Sequence, residues 1–282
     1  MTAYMDHKDL ANVSISEARV WQIADGVHRV MEDIDRASSA AGRRPDEVTL
    51  LAATKTRDVG EIMAAIAAGV RMIGENRPQE VVAKAQMLRS FCSHRGLVLG
   101  RPEEDGADGA TDGGSADGPS RIVPFHLIGQ LQANKINKIL PYVDTVESVD
   151  SIEEAERLNR RALSHGVVVD VFLEVNESGE EAKSGCRPEG AIDLALRIAA
   201  LDSLKLTGLM TVGAHVDDEH VIREGFAHLR STRDAVASSG ERGTSSCREL
   251  SMGMTQDMGM AIAEGSTIVR VGTGIFGPRA FV

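Results

Sequence analysis

VTLLAATKTRDVGEIMAAIAAG, residues Val48–Gly69, is the stretch on which the fold turns. Val48–Thr54 is an apolar run with incomplete alternation, the pattern of a parallel strand covered on both faces. A polar turn follows, then a helical pattern over Val59–Ala68 that Gly69 stops. The turn reads AATKTRDVG and not G-x-G-x-x-G, so this β/α step lacks the signature of a dinucleotide-binding sheet.

The same unit recurs along the chain. Further strand patterns cover Arg71–Gly74, Pro124–Gly129, Tyr142–Ser148, Val167–Val175, Leu204–Val212, Arg248–Gly253 and Thr267–Gly272. Helical patterns separate them: one from Pro78, then Ala133–Leu140, Ile152–His165, Pro188–Ala200, Glu219–Ala237 and Gln256–Glu264. Eight strands alternating with helices predict an α/β fold, a single (β/α)8 barrel of the TIM type spanning residues 1–282, with an extra N-terminal helix over about Ser16–Ala41. An open doubly wound sheet is the alternative. One segment breaks the alternation: Gly100–Ser120, GRPEEDGADGATDGGSADGPS, has six acidic residues and six glycines. It carries too little apolar surface to offset the entropy of ordering, which predicts a disordered acidic insertion. The rival reading, an acidic metal loop, lacks the ligand spacing of an EF-hand.

Composition narrows the function. Lys plus Arg is 31 against 42 for Asp plus Glu, a formal charge of −11, and aromatics are 3%. An acidic chain with few aromatics argues against nucleic-acid binding. No apolar run approaches the roughly 18–20 residues of a membrane span, and the N-terminus has no secretory pattern. Cys92, Cys186 and Cys247 are odd in number and far apart, which favours free thiols in a reducing cytoplasm.

In a barrel of this kind chemistry sits where strands end and βα loops begin. Lys55 follows the first strand and shares the face of Leu51 and Ala53 by the two-residue period. If that face points inward, an amine lies in the mouth, where burial makes it a nucleophile toward carbonyls; the alternative is a solvated lysine past the strand end. Glu75 and Asn76 end the second strand, where an anion and an amide at the rim stand against a helix cap. His126 lies on the third, as a ligand contact or as a satisfied core histidine. No His or Cys pair has zinc spacing, so no metal is expected. The last two strands end in Ser251-Met252-Gly253 and Arg270-Val271-Gly272-Thr273-Gly274. Glycines and hydroxyls there suit a phosphate, or merely a turn that closes the barrel. An inward Arg270 is costly unless it is paired or aimed at a ligand. An amine, a phosphate cradle and an inward arginine are together the parts that hold pyridoxal 5′-phosphate as a lysine aldimine.

The chain resembles the pyridoxal phosphate homeostasis protein family. The resemblance rests on TLLAATKT around Lys55, GVRMIGENRPQE (Gly69–Glu80), FHLIGQLQANK (Phe125–Lys135), VFLEVNESGEEAKSG (Val171–Gly185), LTGLMTV (Leu206–Val212) and LSMGMTQDMGMAIAEGSTIVRVGTGIFGPR (Leu250–Arg279). It implies a barrel like the N-terminal domain of alanine racemase. It also implies Lys55 as the Schiff-base lysine, phosphate contacts at Ser251, Gly272 and Thr273, and Arg270 facing the pyridine nitrogen. Asn76 and His126 match motif positions near the cofactor. The acidic insertion departs from the family pattern.

Activity is a separate question. An arginine at the pyridine nitrogen disfavours its protonation and weakens the electron sink. The fold resemblance implies that alanine racemases add a tyrosine from a second domain. Here the tyrosines are Tyr4 and Tyr142, and the chain closes ten residues after Gly272, so no second domain is expected. These points favour a monomeric carrier or buffer of the cofactor, without robust catalysis, whose partners are the cofactor and apo forms of enzymes that use it. An amino-acid racemase of the alanine racemase type is the alternative. A class I aldolase working through Lys55 without the cofactor is a third reading.

Overall fold

The computed structural model describes residues 9–101, 122–180 and 183–278. In chain order the strands are β1 (Thr49–Ala53), β2 (Ile73–Glu75), β3 (Val98–Leu99), β4 (Ile122–Val123), β5 (Phe125–Leu127), β6 (Thr145–Val149), β7 (Val169–Glu174), β8 (Leu204–Met210), β9 (Glu249–Ser251) and β10 (Ile268–Val271). All but β3 and β4 close a parallel barrel in the order β1-β10-β9-β8-β7-β6-β5-β2, with β2 pairing back onto β1. The helices are α1 (Glu17–Ala40), α2 (Val59–Ala67), α3 (Pro78–His94), α4 (Ile136–Ile139), α5 (Ile152–Ser164), α6 (Ala191–Ala199), α7 (Glu219–Ser238), α8 (Met258–Ala263) and α9 (Thr273–Phe276). None of them is long and apolar enough to cross a membrane. The expected (β/α)8 barrel is present, with a helix after every barrel strand.

Two apolar layers hold it. The larger lies between the outer barrel wall and the helices, where Val, Ile and Leu of the strands meet residues such as Val27, Leu88, Leu158 and Phe226. The smaller lies inside the barrel and gathers Leu51, Phe172, Met210 and Ile268. Leu51 thus points inward, and the two-residue period carries Ala53 to the same side, while Lys55 lies in the turn beyond the strand end. Local signals start the helices: Asp58 and Glu61 form a reciprocal capping box on α2, and Pro78 opens α3.

Helix α1 is more than an addition. The helix after the last strand, α9, is a single turn of four residues. The 24-residue α1 packs on α2, α8 and α9, and so fills the eighth place in the outer ring. Gly26 sits at its contact with α9, where a Cβ would run into the carbonyl oxygen of Ile275.

Several elements depart from the sequence-based expectation. The second strand begins two residues later than the pattern. Ala133–Leu140 is not one helix but a 3-10 turn at Ala133–Lys135 followed by the four-residue α4. α8 begins at Met258, because residues up to Asp257 make a turn in which Asp257 Oδ1 accepts the Met254 amide at 2.5 Å. The small β3–β4 sheet was not foreseen. It lies at the amino-terminal end of the barrel, since β4 runs directly into β5. The insertion expected at Gly100–Ser120 falls outside the described residues from residue 102 onward, but its first two residues are part of the barrel floor. Gly100, at φ +57, presses against the Tyr142 carbonyl where no side chain fits. The Arg101 guanidinium donates to the carbonyls of Val168 at 3.0 Å and Leu140 at 3.3 Å.

Gly26→Ala is expected to lower stability by about 1–3 kcal/mol, because the added methyl forces α1 away from α9. Urea unfolding measures this, and an unchanged midpoint contradicts the close packing of α1 as a structural requirement.

Candidate functional site

A cavity of about 860 Å³ opens at the carboxyl-terminal end of the barrel. This is within the ~300–1,000 Å³ range of small-molecule sites. Lys55, Asn76, Arg270, Gly272 and Thr273 all line it, each from the end of a different strand or from the turn after β10. Lys55 is half-buried, whereas Thr273 is exposed at the rim. The Asn76 side-chain oxygen is buried and has no hydrogen-bond partner in the protein, so an acceptor is left open beside the cavity. Glu174, Met210 and the Met254-Thr255-Gln256 turn complete much of the wall.

The two remaining candidates lie beneath this cavity and are not on its wall. Ser251 and His126 are buried inside the barrel. They join a chain of polar groups that starts at Arg270. Arg270 donates to the Ser251 hydroxyl at 2.7 Å and to the Thr211 carbonyl at 2.8 Å. Ser251 donates to Glu147 Oε2 at 2.6 Å. Glu147 Oε1 meets His126 Nδ1 at 2.6 Å. The Ser251 hydroxyl, expected at the phosphate, is engaged here between Arg270 and Glu147. His126 is a satisfied interior histidine, three links from the cavity.

The electrostatics follow from burial. Burial pulls the Arg270 guanidinium down, opposed by Glu147, Glu174 and Asp257. Burial alone would lower His126 and raise Glu147. Their mutual hydrogen bond and charge outweigh it, so His126 lies above its ordinary value and Glu147 below. Each favours the charged form of the other. Glu174 is pushed up to about 7, by burial first and by Asp150 second, with Arg270 opposing. It is an acid/base group on the cavity wall that the sequence reading missed.

Glu75, read as a rim anion, is also elsewhere. It is fully buried and bound to Lys84 of α3. The sequence reading took Ser251–Gly253 at the end of β9 but not the Met254-Thr255-Gln256 turn beyond it, which lines the cavity. Among the described residues no cluster of three His, Cys, Asp or Glu side chains has metal-binding geometry.

These parts define a class: a parallel α/β barrel whose mouth brings together a lysine, a buried arginine and a glycine-containing turn. The family model for the alanine racemase N-terminal domain matches residues 29–280. A pyridoxal phosphate homeostasis protein of Escherichia coli K12 is 35% identical over 266 residues, covering 92% of this chain and 97% of that protein. Its Aquifex aeolicus counterpart is 32% identical over 253 residues, covering 90% and 96%. The chain belongs to the pyridoxal phosphate homeostasis protein family, on the alanine racemase N-terminal fold. Among solved structures, an unknown protein from Bifidobacterium adolescentis is 61% identical with a TM-score of 0.88, over 95% of this chain and 100% of that one. PipY of Synechococcus elongatus, solved with pyridoxal phosphate bound, is 28% identical with a TM-score of 0.64, over 86% and 99%. Alanine racemase of Clostridium difficile 630, at 15% identity and a TM-score of 0.62, shares the fold over 91% of this chain and 57% of its own.

Replacing Glu147 with Gln takes from His126 its hydrogen-bonded anion and leaves the more distant Asp144, 3.9 Å from Nε2. The His126 value should fall from its raised position, as followed by NMR titration. Breaking a buried pair costs about 3–5 kcal/mol. A raised imidazole stabilises fully below 6.5, and this is lost as the pH climbs through its folded value. A depressed carboxylate stabilises above 4.5 and loses this as the pH falls. The deficit should therefore be greatest between these limits and narrow at alkaline pH; a deficit independent of pH contradicts the charged pair.

Proposed function

We infer that this protein binds pyridoxal 5′-phosphate through a Schiff base on Lys55 and serves as an intracellular buffer or carrier of it, without robust catalysis. The observation that carries this reading is the convergence of Lys55, Arg270 and the Gly272–Thr273 turn on one cavity. The residues suit the group. Lys55 lines the open cavity, the guanidinium offers a cation for a ring nitrogen, and the turn after β10 opens a short helix whose first N–H groups have no carbonyl one turn back. When bound, the cofactor supplies an aldehyde, which condenses with the lysine amine to an imine and releases water. Homeostasis proteins of related sequence and the bound form of PipY support the ligand.

The chain's own residues supply orientation more than reactivity. Arg270 is fixed by Ser251 and Thr211, so it presents a permanent positive charge that opposes protonation of the pyridine nitrogen. Tyr142 stacks under Arg89 at the floor, far from the mouth. We propose a monomer in the reducing cytoplasm, where Cys92, Cys186 and Cys247 stay free, with apo forms of cofactor-dependent enzymes as recipients. One observation favours a second reading, an amino-acid racemase: Glu174, near pKa 7 on the wall, can exchange a proton there.

Purified protein given the cofactor is expected to gain the visible absorption of an imine, and borohydride should fix the adduct on Lys55. Lys55→Ala should lose the absorption and keep weak, non-covalent binding. A mass-spectrometric adduct on another lysine rejects the assignment. Transfer to an apo-enzyme with free cofactor scavenged is expected, and alanine should not be racemised. Robust racemisation lost in Glu174→Gln makes the second reading correct.

A further inference from the structure

A second buried charge cluster lies behind the barrel wall, directly under Lys55. Lys84, on α3, is fully buried, as are Glu75 and Glu80. Its Nζ donates to Glu75 Oε1 at 2.6 Å, to Glu80 Oε2 at 2.8 Å and to the Thr54 carbonyl at 3.1 Å. The same Glu80 Oε2 accepts the Thr56 amide at 2.7 Å. The Thr54 hydroxyl donates to Glu75 Oε1 at 2.6 Å. The peptide groups on either side of Lys55 are therefore both held by buried charge.

The backbone there needs holding. Thr56 has φ +66, the only non-glycine residue with a positive value among the described residues. For a β-branched residue this conformation is strained and persists only where the surroundings impose it. Two acids and one lysine without access to water are also costly. Neither Glu75 Oε2 nor Glu80 Oε1 has a hydrogen-bond partner. A cluster serving stability alone would be as well made from apolar side chains. What the charges accomplish is specific: a lysine that grips one carbonyl and a carboxylate that grips one amide, with Lys55 between.

We propose that Glu80 and Lys84, assisted by Glu75, are positioning residues for Lys55, a buried ion-pair cage that holds the strained Thr54–Thr56 turn and so aims the lysine into the cavity. The proposal rests on the Schiff-base role given to Lys55. The cage touches neither cofactor nor cavity, and it acts through the peptide groups flanking Lys55.

The test separates aim from affinity. Full-length protein freed of cofactor is mixed with pyridoxal 5′-phosphate, and imine formation is followed by absorbance. Binding of pyridoxine 5′-phosphate, which has no aldehyde, reports the non-covalent contacts without the imine. In Glu80→Gln, Lys84 keeps Glu75 as its partner. In Glu75→Gln with Glu80→Gln and Lys84→Met, all three charges are removed together, so that folding does not depend on a lone buried ion. Both variants are expected to form the imine about 10- to 100-fold more slowly, as misplacement of a reacting group does, with pyridoxine 5′-phosphate affinity within about twofold of wild type. Wild-type rates in either folded variant overturn the proposal. So does an equal loss of both readouts, which marks a merely structural role. A third measurement needs no variant: in the wild-type apoprotein the Thr56 amide should exchange with solvent as slowly as the strand amides, and exchange at the rate of an open loop overturns the cage. Borohydride trapping in wild type judges the Schiff-base reading by itself, so its failure is told apart from failure of the cage.

Discussion

The pairing of β1 with β10 is the constraint from which the mouth of the barrel follows. Leu51 lies opposite Arg270, and Ala52 opposite Val271. Parallel strands leave the sheet on the same side, so the Lys55 turn and the Gly272–Thr273 turn emerge together although they come from opposite ends of the chain. Because the side-chain period is two, a slip of one residue would turn Arg270 toward the helices and Leu51 out of the interior cluster. Closure of the barrel and assembly of the site are the same event.

Closure also sets the electrostatic problem that the interior solves. An arginine on an inward face has no water to share its charge, and Glu147 on β6 answers it through Ser251. Glu147 in turn has His126 at its other oxygen. A second set of charges stands outside the wall, at Glu75, Glu80 and Lys84. The strand ends of this barrel are therefore supported from within and from behind, by groups that are expensive to bury and lose their value if one partner is removed.

The fold was legible because parallel strands under helices are written as short runs of Val, Ile and Leu, and eight such runs leave few topologies. Lys55, Asn76, Arg270, Gly272 and Thr273 were legible because position at a strand end is a property of the local sequence. Ser251 and His126 show where that stops. Their residue types fitted a cofactor contact, but whether a hydroxyl faces the cavity or a carboxylate on another strand depends on register between strands, which no local pattern encodes. Glu147 looked like one polar residue in the strand YVDTVES. Glu80 and Lys84, four apart on α3, have the spacing common to exposed helix pairs yet are fully buried, and the sequence analysis did not single them out. The one-turn α9 and the 3-10 start of α4 went unread because such short turns are settled by packing, not by propensity.

The place of α1 in the ring has a consequence for the order in which the molecule can be made. Its seat is bounded by α2 on one side and by α8 and α9 on the other. On a ribosome, α1 emerges before every strand of the barrel and must wait for α8 and α9, which flank the last strand. Its apolar face, Ile23, Val27, Val30 and Ile34, stays uncovered for that interval. Contacts between the ends of a chain are slow to form, and exposed apolar surface invites association in the meantime. In this barrel α1 is synthesised before every barrel strand and completes its packing only after the last of them, so its apolar face is a hazard of misassembly in between.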